Sequence, residues 1–142
     1  MTEKMTPQQV RAFLMTGTRT GKLATVDASG QPHVVPIWFV LDGDDVVFTT
    51  GERSIKGRNL RRDPRVAMVV DDERPPFAYV QVRGRVSLGE DPGDLLHWAT
   101  RIGARYMGAE RAEDFGRRNA APGEVLVRIR VERVVAVTGV SD

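Results

Sequence analysis

Thr20-Gly-Lys-Leu-Ala-Thr-Val-Asp27 and Pro32-His-Val-Val-Pro-Ile-Trp-Phe-Val-Leu41, separated by Ala28-Ser-Gly-Gln31, are the stretch on which the fold turns. Two runs rich in β-branched and apolar residues on either side of an Asp-Ala-Ser-Gly turn predict a β-hairpin. Pro36 has no N–H to donate to a ladder, so the second strand is expected at a sheet edge or a bulge. Asp42-Gly-Asp-Asp45 then turns the chain into a third strand, Val46-Val-Phe-Thr-Thr50.

Outward from this hairpin the pattern stays antiparallel. Upstream, Thr6-Pro7 is a helix start, with Val10, Phe13 and Leu14 on one face and Gly17 as a stop, so a short helix covers 7–16. Downstream, Ser54 to Arg62 has the spacing of a short helix that ends at Asp63-Pro64. Val66–Val70 is an apolar strand. Phe77–Leu88 is a longer one, with Tyr79, Gln81, Arg83 and Arg85 opposite Val80, Val82 and Val86. Asp91-Pro92 opens a helix whose stripe is Leu95, Leu96, Ala99, Ile102 and Tyr106, and a weaker helix covers 110–118. A final strand runs from Val125 to Val137. Six strands with turn-length links predict a mainly β, α+β chain: a six-stranded antiparallel barrel with short flanking helices. A meander of this kind has no central parallel sheet, which argues against a dinucleotide-binding fold.

The 142 residues suffice for one domain, 1–142, with one core. Hydrophobic residues at 41% and charged residues at 28% are those of an ordinary globular protein. The absence of cysteine excludes disulfide scaffolds, thiolate metal sites and cysteine nucleophiles. His33 and His97 are too few and too far apart to suggest a metal site. Met1–Lys4 leads into an amphipathic segment, and no apolar stretch approaches the length of a membrane span. A cytoplasmic protein without membrane association is therefore expected.

Net charge is only +2, although the isoelectric point is about 9.4. Its distribution is the informative part. Arg53, Lys56, Arg58, Arg61, Arg62 and Arg65 crowd one segment against a single acid, Asp63, whereas 41–45 and 71–73 are acidic. Lys56 is one of three lysines in the chain. Within Thr49-Thr-Gly-Glu-Arg-Ser-Ile-Lys-Gly-Arg-Asn59 a strand delivers hydroxyls and a glycine to a helix start bearing Ser54, Lys56, Arg58 and Asn59. Free N–H groups at a helix start favour negative charge, and a hydroxyl and a cation there can complete a phosphate cradle. A solvated basic helix face is the other reading of the same run.

The string Lys56-Gly-Arg-Asn-Leu-Arg-Arg-Asp-Pro-Arg65 followed by an apolar strand resembles the signature of the pyridoxamine 5′-phosphate oxidase-like split β-barrel flavoproteins. It is most similar to their branch that uses the deazaflavin coenzyme F420. Leu23-Ala-Thr-Val, Gly30-Gln-Pro-His-Val-Val-Pro and Phe77-Ala-Tyr-Val-Gln-Val-Arg-Gly-Arg-Val extend the resemblance over most of the chain. It implies an FMN-binding split-barrel type of fold. Lys56, Ser54, Ile55 and Asn59 would hold the cofactor phosphate and the start of its tail, with Thr49 and Thr50 lining the same pocket. Val35, Pro36, Ile37 and Trp38 would lie along the tricyclic ring. Phe77, Ala78, Tyr79 and Val80 would reach the cofactor from a second copy, which implies a homodimer with cofactors at the interface. Pro32–Phe39 lacks the Arg-x-Val-Leu-Leu-Lys-type charges of true pyridoxamine phosphate oxidases, which favours the deazaflavin branch.

What the resemblance implies is hydride transfer from reduced F420 to an electron-poor C=C or C=N bond of a small-molecule substrate. The cofactor carries the chemistry, and no catalytic side chain is assigned. An FMN-dependent oxidoreductase of the same fold and an F420 carrier are the alternatives. Nucleic acid is not an expected partner, because aromatics form only 6% of the chain and do not interleave with the basic residues. Trp38 is read as core or interface filler before substrate platform, His33 as a surface residue, and Tyr79 and Tyr106 as tyrosines with satisfied hydroxyls.

Overall fold

The computed structural model describes residues 3–142; Met1 and Thr2, where the N-terminal segment begins, lie outside the described residues. In chain order the elements are β1 (Glu3–Lys4), α1 (Pro7–Leu14), β2 (Gly21–Val26), β3 (Pro32–Ile37), β4 (Val40–Asp42) and β5 (Asp45–Gly51). Then come α2 (Ile55–Arg62), β6 (Arg65–Asp72), β7 (Ala78–Gly89), α3 (Pro92–Met107), α4 (Ala112–Asn119) and β8 (Glu124–Thr138). All strand pairs are antiparallel, in the order β3-β2-β6-β7-β8-β5-β4, with the short β1 added on β8.

Two expectations are corrected. The main path holds seven strands rather than six, and its ladder does not close into a complete barrel. Both differences arise at one place. The run 32–41 is two strands, because the backbone of Phe39 pairs with α3 instead of a neighbouring strand. Its N–H donates to the Tyr106 hydroxyl (3.2 Å), and its carbonyl accepts from the Arg105 guanidinium (2.6 Å). β3 and β4 are the two ends of the path yet follow one another in the chain. The polypeptide thus crosses from one sheet edge to the other at Trp38-Phe39, and the barrel is split there. Pro36 lies on β3, which among the described residues pairs only with β2, so its missing N–H costs no ladder bond.

The barrel interior is filled by Leu23, Phe39, Val46, Phe48, Met68, Val80, Val82, Val127 and Ile129, all essentially inaccessible to solvent. β5 is buried on both faces. Val46 and Phe48 point into the barrel, whereas Val47 packs with Leu126, Leu95 and Ile102 under α3. Leu96, read as part of the α3 stripe, is exposed at 44%. Its place on the helix turns it away from this second cluster. Among the described residues no helix is long and apolar enough to cross a membrane.

Candidate functional site

The start of α2 is locked onto the end of β5. Ser54 is the N-cap: its hydroxyl accepts from the Gly57 N–H (3.0 Å) and donates to the Gly51 carbonyl (2.8 Å), with the Thr50 hydroxyl 3.2 Å away. Gly57 permits this closeness, since a Cβ there would collide with the Gly51 carbonyl oxygen. The Glu52 N–H donates to the Gly123 carbonyl (2.8 Å), which ties the same corner to the start of β8.

A cavity of about 330 Å³ opens at this corner, within the range that holds small ligands. β5 contributes Thr49, Thr50 and Gly51, α2 and its cap contribute Ser54 and Lys56, and Pro36, Ile37 and Trp38 form the wall at the barrel split. Ile102 of α3, Asn119 of α4 and Glu124 of β8 complete it. Thr49 faces the cavity for a positional reason. It lies two residues beyond Val47 on the α3-facing side of β5, where the cluster under α3 gives way to open space.

Lys56 makes no hydrogen bond or ion pair among the described residues. Burial pushes its ammonium below the ordinary lysine range, and the charge of Glu124 pulls in the opposite direction. Glu124 mirrors it: burial pushes its carboxyl up, and Lys56 opposes the shift. A half-buried cation without a contacting counter-ion is costly unless an anion arrives from outside. The opposite wall is aromatic. Trp38 stacks on Tyr106, with centroids 5.0 Å apart and planes 4° from parallel, and is tilted against Phe115. Trp38 thus fills a packed cluster and lines the cavity as well.

The remaining residues expected at the site are distributed elsewhere. Asn59 is buried; its amide donates to the Thr25 hydroxyl (3.0 Å) and accepts from Arg62 (3.2 Å), joining α2 to β2. Ile55 and Asn59 border a separate shallow hollow with Arg58 and Ser29. Val35 sits in the β2–β3 ladder opposite Leu23. Phe77 and Ala78 border a third hollow beside Pro76 and Thr138, Tyr79 is half-buried on β7, and Val80 belongs to the barrel core. Phe77 is exposed at 40% and holds a left-handed backbone (φ 63°), which is unusual for a bulky residue. His33 is half-buried in the ladder opposite Thr25 rather than at the surface, and His97 is exposed.

Ile102, Asn119 and Glu124 line the cavity without having been singled out as site residues. Glu124 arrives through strand register, paired opposite Gly51, and periodicity carries no signal for that pairing. The Tyr106 hydroxyl donates to the Arg19 carbonyl (2.8 Å) and accepts from the Phe39 N–H, so it is engaged in the scaffold.

A seven-stranded split barrel with a lysine-bearing helix start at its seam defines the class. Residues 6–138 match the pyridoxamine 5′-phosphate oxidase family, and the chain belongs to it. Over 56 residues it is 48% identical to a 5a,11a-dehydrotetracycline/5a,11a-dehydrooxytetracycline reductase of Streptomyces rimosus. That match spans 37% of this chain and 39% of the Streptomyces enzyme. Among solved structures, a conserved hypothetical protein of Mycobacterium tuberculosis superposes with a TM-score of 0.82 at 28% identity, over 93% of this chain and 84% of the other. An F420 reductase is similar at 30% identity and a TM-score of 0.69, over 87% of this chain and 94% of that one.

Proposed function

We propose that this protein is an F420-dependent oxidoreductase that reduces an electron-poor C=C or C=N bond of a small molecule. The observation that carries the reading is Lys56, a partly desolvated cation without a contacting counter-ion, in a cavity with hydroxyls on one side and Trp38 on the other. Such a lining suits a ligand that is anionic at one end and flat and apolar at the other. Membership of the family and the similarity to an F420 reductase and to a dehydrotetracycline reductase support the same reading.

When bound, the deazaflavin would supply a hydride from its C5 position. The chain's own residues would bind and orient. Lys56 would hold the phosphate by a charge-assisted hydrogen bond, with Thr49, Thr50 and Ser54 beside it and Ile55 and Asn59 shaping the approach of the tail. Val35, Pro36, Ile37 and Trp38 would lie along the ring. Their wall would keep water from its face and orient it toward the acceptor. A second copy would add Phe77, Ala78, Tyr79 and Val80, the last through its backbone because its side chain is in the core. A homodimer is part of this proposal. Tyr106 is engaged at both lone pair and proton, so water is the proton source this reading favours.

Titrating the purified protein with F420 and following its fluorescence tests the proposal. Saturable binding below about 100 μM, roughly −5.5 kcal/mol, is expected, and a flat titration overturns it. Flavin absorption bands in the protein as purified would replace F420 by FMN on the same fold. Saturable F420 binding with every electron-poor acceptor left unreduced would make it a carrier.

A further inference from the structure

We propose that Glu124 sets the charge of the anion that the Lys56 cavity accepts, favouring a phosphodiester monoanion over a phosphomonoester dianion. The inference rests on the reading of this cavity as a cofactor phosphate site, and it adds how the site chooses among phosphates.

The basic segment 53–65 delivers less positive charge to the cavity than its composition suggests. Arg61 reaches Glu90 (3.1 Å) and Glu52 (3.7 Å). Arg62 is held by the Val26 carbonyl and Asn59, and Arg65 by Asp63. Arg53 and Arg58 are exposed, and Arg58 borders the separate hollow. None of these arginines lines the cavity. Among the described residues its charged lining consists of one cation, Lys56, and one anion, Glu124.

Glu124 is positioned by backbone. It pairs with Gly51 in the β5–β8 ladder, and one carboxylate oxygen stands 3.9 Å from the place a Gly51 Cβ would occupy. Its carboxylate accepts no hydrogen bond and enters no ion pair among the described residues. Lys56 from α2 and Asn119 from α4 are the polar side chains that share the cavity with it, beside the hydroxyls of Thr49, Thr50 and Ser54. A single negative charge placed against Lys56 gains the full attraction of the ammonium. A second charge on the same phosphate finds no further cation among the described residues of the lining and is repelled by Glu124 across a partly desolvated space. The carboxylate can meanwhile accept hydrogen bonds from hydroxyl donors of a polyol chain leading to the phosphate. Burial disfavours both charges, which is the environment in which one extra charge is felt.

The decisive comparison uses FMN and its phosphate O-methyl ester, which share ring and ribityl chain and differ by one charge. Their affinities are measured by flavin fluorescence for the wild-type protein and for Glu124→Gln and Glu124→Asp. The wild type should bind the methyl ester about tenfold more tightly than FMN. Glu124→Gln should narrow that ratio to within about threefold by gaining affinity for FMN, and Glu124→Asp, which keeps the charge, should retain it. Circular dichroism and melting establish that the variants are folded. A ratio unchanged by Glu124→Gln, no preference in the wild type, or no saturable binding of either flavin to any of the three proteins overturns the inference. The F420 titration fails or succeeds separately, because the flavin pair reads the phosphate end alone.

Discussion

Trp38 lies flat on Tyr106, the ring planes 4° from parallel and the centroids 5.0 Å apart, at the corner where the chain crosses between the two sheet edges. The tyrosine supporting the cavity wall is the same residue that draws the Phe39 N–H out of the strand. Wall and split share a cause: α3 supplies the hydrogen-bonding groups that the sheet would otherwise provide.

Tyr106→Phe keeps the stack and removes both hydroxyl bonds, to the Phe39 N–H and the Arg19 carbonyl. The Arg19 carbonyl keeps the Arg105 guanidinium at 3.4 Å, whereas the part-buried Phe39 N–H loses its partner, which should cost about 1–3 kcal/mol. Chemical denaturation should show that loss, with Trp38 emission in the native protein little changed because the aromatic face remains.

Arg105 ties the Phe39, Leu14 and Gly17 carbonyls together at 2.6, 2.7 and 3.0 Å. Its guanidinium also lies over the Phe39 and Tyr106 rings. A lysine carries the charge but cannot fork across three carbonyls or stack as a plane. Arg105→Lys should therefore lower stability by about 2–3 kcal/mol. A denaturation midpoint equal to that of the wild type would contradict this account of the corner.

Much of the architecture was legible because it is written locally. The hairpin at 21–37, the edge position of Pro36 and the helix starts at Thr6 and Asp91 follow from turn chemistry and from period-two or helical spacing. The division of 32–41 into two strands was not legible. Its determinants, Arg105 and Tyr106, lie 66 and 67 residues from Phe39, and the run itself reads as continuous β. The same limit applies to the site. Lys56 and the hydroxyls of Thr49 and Thr50 could be read from the helix start and the strand end, and Trp38 was implied by the family resemblance, whereas Glu124 enters by register. The motif Lys56–Arg65 is part cavity lining and part scaffold. Lys56 faces the cavity, Asn59 and Leu60 are buried, and Asp63 clasps Arg65 at the turn into β6.

That clasp gives an acid-side prediction. Hydrogen bonds from Arg65 hold the Asp63 carboxyl at about 2, below its ordinary 3.8. A carboxyl depressed by folding stabilises the native state above its unfolded pKa, and that contribution disappears as pH falls through the folded value. Stability should therefore decline between about pH 4 and pH 2. Asp27 and Asp72, also lowered, contribute in the same direction. In Asp63→Asn the decline should be shallower than in the wild type, as read from melting temperature against pH. Parallel curves for the two proteins would remove Asp63 from the explanation.

Adjacent residues of α2 should separate binding from folding. Lys56 is partly desolvated and contacts no counter-ion, so Lys56→Ala removes a charge whose burial cost the attraction of Glu124 offsets only in part. Its melting temperature should hold or rise slightly, while F420 affinity falls by one charge-assisted hydrogen bond, about 1.5–3 kcal/mol. Gly57→Ala does the opposite. The added Cβ meets the Gly51 carbonyl oxygen, a backbone atom that cannot swing aside as a side-chain tip can, so α2 must lift from the end of β5. That should cost about 1–3 kcal/mol of stability and weaken binding by moving Ser54 and Lys56 away from Thr49. Melting and titration of both variants side by side check the distinction. If Lys56→Ala destabilises the protein as much as Gly57→Ala does, the lysine is a structural residue and the cavity loses its claim to an anion.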